Sequence, residues 1–527
     1  MTDVYDIWNK YEELKQEHLK DDMYENVKMC CRFYEGDQWY GVEKSGERLP
    51  KYNFIRPSVD YKVSMVSNNV MSIHYSPMGN MGKSGELYSV VCDNFNKIAE
   101  AAWENTSMDS KLRNVVKRAC ITGDSYMYFY DGNFNSQIIS KENIFFADET
   151  QSDIQKQEYI IVFERRRVDE VKKEALINGI PEKDLDLITA DDDEMTDDNN
   201  YGSKKCTSLL YMYKKGGSVC YLRCVKNLIY EPEQVISGLK LYPICSFIWN
   251  GKYNSSRGIG EVYEMIPNQI SANALLVRRE MNNKMTGYAK PVYNADMIEN
   301  PESISKVGTA IKISGPGIQN VSDAFSYIAP APMSGTVKQL QDEILNVTRE
   351  LSGAGDAVVG QINPENASGT AIIAVQEQAS LSLNEYVCAY KQFIEDTARV
   401  WFNMYAVYNP DGMKAEYESD GKKHTIIIPS HILEKMQINV KVDVSPANAF
   451  SKFAREQALE NALTKGYITF DEYVSALDGD SAAPRGKFLD IIRKRKLAQI
   501  KESEGTKDDV SDLQNGNEGI AHTKGGD

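Results

Sequence analysis

One long apolar stripe limits what this chain can fold into. Between residues 370 and 408, Ile372, Val375, Ala379, Leu383, Tyr386, Tyr390, Ile394, Ala398, Trp401, Tyr405 and Tyr408 recur at steps of three and four. That period marks a helix with one buried side. About 40 residues rising 1.5 Å each would reach roughly 60 Å, long for a helix inside one globular core. Such a helix either kinks or traverses an assembly larger than one chain. The segment before it, SGAGDAVVGQINPENASG (352–369), is rich in glycine and poor in apolar residues. It reads as a mobile loop.

Two further helices are expected just upstream. From 260 to 286, Val262, Ile266, Ile270, Ala274, Val277, Met281 and Met285 make one stripe. Over 336–351, Val337, Leu340, Ile344, Val347 and Leu351 keep a heptad rhythm. Two heptads are too few for an autonomous coiled coil. Between them, 288–335 carries Pro316, Pro330, Pro332 and short β-like pieces (KPVYN, TAIKIS, FSYIAPAP). Two helices flanking a compact β insert predict an antiparallel hairpin with a small domain at its tip.

The N-terminal half is mixed. Residues 1–35 read as one helix, with Val4, Trp8, Tyr11, Leu14 and Leu19 recurring at helical spacing. FYEGDQWYG (33–41) breaks it, and a helix can follow from Ser58 as cap, with Val59, Val63 and Val66 on one face. Helices over 85–107 and 109–123 come next. DSYMYFYDGNFNSQIIS then alternates and reverses at Asp131-Gly132, a strong turn pair. NIFFAD, EYIIVFERRRV, TSLLYMYKK, SVCYLRCVKN and YPICSFIWN are read as strands. The acid-rich 181–204 has no apolar stripe to fold on and reads as a solvated loop. After the long helix, HTIIIP and QINVKVDV are strands. Helices return from Pro446, at a Thr469–Glu472 capping box, and from Pro484. The polar end is expected to be disordered.

Composition and motifs exclude several functions. Acidic residues number 76 against 60 basic, a net charge of −16. A surface that grips nucleic acid throughout needs clustered Lys and Arg; a protein that lets DNA pass without holding it does not. No stretch has the apolar length of a membrane span, and the start lacks a signal pattern. The nine cysteines are scattered without CxxC, so unpaired thiols in a reducing compartment are expected. None of the five histidines has a partner at metal spacing, and they are expected to be solvated or structural. The segment MGNMGKSG has Pro77 where a phosphate loop needs glycine, and no buried strand is expected before it. Asp131, Asn133, Asn135, Gln137 and Glu142 fall at calcium-loop positions, but Ser136 replaces the required glycine and a hairpin tip is favoured. RKRK (493–496) suits a helix C-terminus. Arg278, Arg279 and Lys284 lie off their helix's apolar stripe, as solvent charges, salt bridges between subunits or a channel ring. No catalytic constellation, metal site or cofactor site emerges. The 31 tyrosines point weakly to an assembly subunit.

The order of these pieces resembles the portal protein family of tailed bacteriophages. FYEGDQWYG…LPKYNFIRPSVDYKVS looks like that family's Tyr-x-Gly-x-x-Trp element before an Asn/Pro-rich lead into the first buried helix. YPICSFIWN…GIGEVYEMIPNQISANAL is similar to its strand, glycine turn and stem-helix start, with Gln269 and Asn273 in the characteristic places. SGTAIIAVQEQA resembles the opening of its long helix. The resemblance spans roughly residues 30–500.

It implies an α+β, multi-domain ring subunit, usually twelve to a ring at one capsid vertex. N-terminal helices and an α/β wing would occupy 1–259, with further wing strands over 410–445. An antiparallel helical stem would take 260–287 and 336–351, around a small α/β clip over 288–335. A tunnel loop (352–369) would lead into a long tunnel helix (370–409). A helical crown would follow over 446–500, then a disordered tail over 501–527. The insertion 181–204 departs from the family's compact wing.

The resemblance further implies a non-enzymatic conduit for genome packaging and ejection, located in the virion and assembled in the host cytoplasm. Implied partners are further copies of the chain, double-stranded DNA, the terminase motor, a head-tail adaptor, and the major capsid and scaffolding proteins, with no membrane. Gly353, Asp356, Gln361, Asn363 and Asn366 would form the DNA-facing tunnel loop. Twelve copies at −16 would give a ring of about −192, a field that repels phosphates. Two other readings compete: a packaging-motor ATPase, disfavoured by the broken phosphate loop, and a tail adaptor ring, which would lack the stem-clip-loop order.

Overall fold

The computed structural model describes residues 3–39, 49–67, 70–78, 83–191, 204–287, 290–304, 306–315, 320–328, 334–351, 383–419, 422–445, 458–477, 488 and 491. The chain divides into two compact units, 1–67 with 71–443, and 68–70 with 444–527.

The larger unit begins with α1 (Val4–Lys20) and α2 (Met23–Glu35). The single helix expected over 1–35 is broken at Asp22, whose φ of 52° is left-handed. Asp3 starts α1 by accepting from Tyr5 N. Its buried side is Ile7, Tyr11, Leu14 and His18, at helical spacing, while Leu19 of the expected stripe points to solvent. That side lies on a five-stranded antiparallel sheet in the order β4 (Ile144–Phe146), β5 (Tyr159–Arg167), β6 (Lys205–Lys215), β7 (Ser218–Val225), β8 (Leu228–Ile236). Phe145, Ile161, Phe163, Leu209, Tyr211, Leu222 and Cys224 meet it there. Each such side chain taken from water contributes about 1.5–3 kcal/mol. Strand β8 was not expected; it buries only Tyr230, as befits the edge of a sheet.

On the opposite face, α6 (Val168–Ile177) packs Val168, Val171 and Ala175 against Cys206, Val225 and Tyr230. Ile188 completes this cluster at 1% exposure. The acidic insertion is therefore not solvated throughout. A short 3-10 helix (Glu182–Leu187) delivers Ile188 to the core, and Asp191 pairs with Arg165 and accepts from Thr207 N. Ile188, with Leu185 packed beside it and the Asp191 ion pair, seats the segment; 192–203 lie outside the described residues.

A second sheet has three strands, β3 (Ser136–Ser140), β2 (Asp124–Phe129) and β9 (Ile244–Ile248), all antiparallel. The β2–β3 hairpin closes as expected: Asp131 Oδ1 accepts from Asn133 N and Asn135 N, an Asx turn rather than a cation loop. Helix α5 (Met108–Thr122) packs beside β2, and α3 (Ile55–Ser67) packs against α5. Val59, Val63 and Val66 are buried as expected, but the helix starts at Ile55. Asn53 accepts from Arg56 N, so Ser58 sits inside the helix and is not its cap. Helix α4 (Lys83–Asn105) follows β1 (Val70–Pro77), a strand the sequence did not predict; β1 pairs only with β16 (Ile438–Ser445) in a two-stranded sheet.

Of the long apolar stripe, 371–382 lie outside the described residues. The rest forms a helix over Asn384–Tyr408, of about 37 Å. In chain order this helix is α9, after α7 and α8 of the hairpin described below. It is buried on most sides, not along one stripe. Phe393 meets Phe247 of β9, and the fully buried Trp401 contacts Trp103, Phe129 and Phe134. The hairpin β14 (Met413–Ser419) and β15 (Lys422–Ile428) follows, held to α4 by reciprocal bonds between Asn94 and the Glu416 backbone.

In the smaller unit, the helix over Phe470–Ala476 carries the expected capping box: Thr469 Oγ1 accepts from Glu472 N, and the Glu472 carboxylate accepts from Thr469 N at 2.8 Å. Phe470 stands edge-on to Phe488. The basic run 493–496 lies outside the described residues.

Candidate assembly hairpin and its anchor

Residues 250–351 leave the sheets through a pair of close backbone approaches. Strands β10 (Asn250–Gly251) and β11 (Gly258–Ile259) turn the chain into α7 (Glu261–Gly287). A Cβ on Gly258 would lie 2.3 Å from Gly123 O, and one on Gly260 would lie 2.2 Å from Ile121 O. Only glycine lets the end of α5 and the start of α7 touch in this way.

The same turn carries Arg257, buried at 2% exposure. Its guanidinium donates to Glu149 (2.9 and 2.8 Å), Ile144 O (2.7 Å), Lys141 O and the Tyr126 hydroxyl, and faces Asp124 at 3.4 Å. Tyr126 in turn donates to Asp124 at 2.7 Å. Lys141 pairs with Asp124 at 2.9 Å and donates to Gly258 O at 2.6 Å. His18, from α1, sits 2.7 Å from Glu149. Two cations and two carboxylates thus compensate one another, all but the partly exposed Glu149 out of water. Although burial opposes ionisation of Glu149, His18 and Arg257 together hold its carboxyl down at about 2. Asp124 is likewise held low by Lys141 and Arg257 against its burial. One turn on, Lys62 and Glu261 form a second buried pair at 2.6 Å, and Trp249 Nε1 donates to Glu261. The start of α7 is therefore fixed by charge from α1, α3, β2 and the β3–β4 connection. Sequence reasoning missed this cluster; its only signal was an Arg set between the glycines of a turn.

Beyond Pro267, a third device holds α7. Gln269 and Asn273 are buried on it, at 0% and 1% exposure. Gln269 Oε1 accepts from Phe54 N (3.2 Å) and its Nε2 donates to Tyr52 O (2.5 Å). Asn273 Oδ1 accepts from Tyr52 N (3.0 Å) and its Nδ2 donates to Gln38 (2.7 Å). The two amides serve as a strand edge for the extended 52–54 backbone. Trp39 Nε1 reaches Pro50 O, Lys51 reaches Gly36 O, and Asn53 reaches Tyr34 O. Two of the three motifs quoted for the family resemblance, far apart in sequence, are brought together here. Gln269→Leu keeps the volume but leaves a backbone N–H and C=O without partners, at a cost of about 2 kcal/mol. The denaturant midpoint is expected to fall accordingly, and at least as far for Gln269→Glu, whose buried carboxylate would face Tyr52 O and Asn273 Oδ1 with no donor to give; an unchanged midpoint for Gln269→Leu refutes the lock.

The distal half of α7 pairs with α8 (Thr336–Leu351). The expected antiparallel hairpin is present, but its apolar stripes are not where it closes. Asn268 donates to Thr348 (3.0 Å) and Arg279 to Gln341 (2.5 Å); among the described side chains of α8, Gln341 and Thr348 are the buried ones. Leu340 and Val347 are 48% and 43% exposed, and Ile344 is half-buried. On α7, Val262 and Ile266 are buried as expected while Ile270, Met281 and Met285 are exposed. The reason is geometric. Steps of four advance 400°, so a run of them drifts around the helix, whereas the buried side follows Val262, Met265, Ile266, Gln269, Ala272, Asn273 and Leu275.

At the tip, β12 (Lys290–Tyr293) pairs with β13 (Phe325–Ile328), and all four residues of β12 are exposed. In the connection that follows β12, Ile298, bridged to Ile313, and Ala324 are buried. Of the three candidate stem charges, Arg279 is bound to Gln341, Arg278 is exposed, and Lys284 pairs with Glu280 on its own helix at 3.5 Å. Gly353, Asp356, Gln361, Asn363 and Asn366 all lie outside the described residues. Among the described residues no group of acidic, His or Cys side chains is placed to hold a metal ion, no helix is long and apolar enough to cross a membrane, and all nine cysteines are free.

Residues 216–466 match a family model described as phage P22-like portal protein. The matched span runs from the β6–β7 turn through the hairpin and α9 into the smaller unit. No curated protein matches the chain.

Proposed function

We infer that this chain, whose residues 216–466 are a phage P22-like portal protein domain, is a ring-forming portal subunit: a non-enzymatic conduit for genome packaging and ejection, set at one capsid vertex of the virion. Portal proteins are in general structural and not catalytic. The wing (1–259 and 410–445), stem (260–287 and 336–351), clip (288–335), tunnel loop (352–369), tunnel helix (370–409) and crown (446–500) are assigned on this reading. The terminase motor and head-tail adaptor dock on the clip, and the ring is a homododecamer.

One observation carries the reading. Polar side chains close α7 on α8 within the protomer, and two apolar residues of the α8 heptad, Leu340 and Val347, are left nearly half exposed. A lone chain gains nothing from that arrangement; a neighbouring copy in a closed ring does. Electron micrographs of purified protein are expected to show closed rings, and ATP turnover by the pure protein, without a motor subunit, would refute the reading. The conduit is tested at the tunnel loop. Asp356 and Glu365 are its only charges, so it offers phosphate no cation. Asp356→Lys with Glu365→Lys should make intact rings bind duplex DNA at low salt, with each lysine steepening the salt dependence by about one unit, and should slow packaging. Unchanged DNA binding and packaging velocity would place this loop away from the DNA.

A further inference from the structure

A cavity of ≈ 410 Å³ lies between the three-stranded sheet and the face of the five-stranded sheet turned away from α1. It is of the size that encloses a small organic group, and the ring reading makes no use of it. Its floor is Arg223 on β7, held by Glu164 at 3.4 Å and Glu231 at 3.2 Å; all three side chains are about one-sixth exposed. Two carboxylates share one guanidinium, so the floor keeps one negative charge. The other ion pair in the lining, Arg166 with Glu174 at 2.6 Å, is balanced. The walls are aromatic: Tyr128, Tyr221 and Tyr408. Tyr128 is buried, and burial pushes its hydroxyl up to about 12. Gly132 packs closely on Tyr408, where a Cβ would come within 2.5 Å of the tyrosine's own Cβ.

An anion placed here meets the surplus carboxylate. An apolar ligand strips water from both acids without replacing it. A cation on an alkyl stem satisfies each feature: carboxylate oxygens for its N–H groups, and ring faces for its charge and methylenes. We propose that this cavity binds an alkylguanidinium or alkylammonium group, carried either by an Arg or Lys side chain of another protein or by a free polyamine.

Equilibrium dialysis with agmatine as probe tests it on the full-length protein. Saturable binding near one per chain is expected. Glu231→Gln removes the surplus charge while leaving Arg223 paired with Glu164, and should weaken binding by about tenfold, the loss of one charge-assisted contact. Tyr221→Leu removes a ring and should weaken it several-fold, with circular dichroism and melting temperature confirming that both variants fold. A capped Gly-Arg-Gly peptide binding more tightly than agmatine identifies a protein side chain as the source; spermidine binding more tightly identifies a free amine. Non-saturable uptake, equal binding by wild type and both variants, or displacement of agmatine by sulfate would overturn the proposal.

Discussion

Replacing Leu340 and Val347 together by aspartate is expected to convert rings into folded protomers. Both side chains are nearly half exposed in the single chain, so the substitutions cost the protomer little, within about 1 kcal/mol. In a ring whose stem helices abut, each aspartate would enter an apolar contact without a counter-ion, at several kcal/mol per site. Every subunit boundary would carry that penalty, so closed rings should be lost rather than thinned. Native mass measurement reads the ring population; circular dichroism and the melting temperature read the protomer. Lys338→Ala, an exposed change on the same helix, serves as the control. Rings persisting in the double variant at wild-type abundance would remove α8 from the interface.

Arg257→Met is expected to produce the largest loss of stability of any single change at the anchor. Methionine fills much of the volume but leaves Asp124 and Glu149 without their shared guanidinium and strips Ile144 O and Lys141 O of a donor. Removing one partner of a buried ion cluster costs about 3–5 kcal/mol. The pH dependence supplies a second readout. Glu149 is held at about 2 against an ordinary value near 4.5. Its contribution is present in full above the unfolded value and is lost as pH falls from about 4.5 toward 2, on the order of 3 kcal/mol. Asp124, also held low, adds in the same direction. Wild-type stability should therefore drop steeply through that window. The variant should start lower and show a shallower drop, because without Arg257 neither carboxyl is held as far down. A variant with an unchanged acid profile would show that Arg257 does not set these carboxylates. Lys62, in the neighbouring pair with Glu261, should be less costly, since it removes one ion pair only.

Much of the fold was legible from periodicity. Tyr11 and Leu14 on α1, the three valines of α3, the apolar runs of β5 and β6 and the Thr469 capping box are local patterns, and each formed as the pattern required. The Asp131 turn was legible for the same reason: its hydrogen bonds close within four residues. Misses came where a distant partner decided. Ile188 lies in an acid-rich run that is polar by composition, yet a place beside Val171 and Tyr230 draws it in. His18 sits in a string of charged residues and is nonetheless buried, because Glu149 and Arg257 meet it there. The exposed edge of β8 carries too weak an alternation to announce itself.

For the hairpin, the sequence by itself determined that two amphipathic helices flank a β insert and that α8 has a heptad seam; Gln269 and Asn273, off the expected stripe of α7, stood out only through the family resemblance. Only the tertiary structure decided what each face meets. The amides of α7 face the 52–54 backbone, whose N–H and C=O groups must be satisfied once buried. Gln341 and Thr348, not the leucine and valine beside them, face α7. Helical period specifies which residues share a side, within the drift of a few turns. It does not specify the partner of that side, because burial is a property of what the rest of the chain, and its copies, bring to the surface.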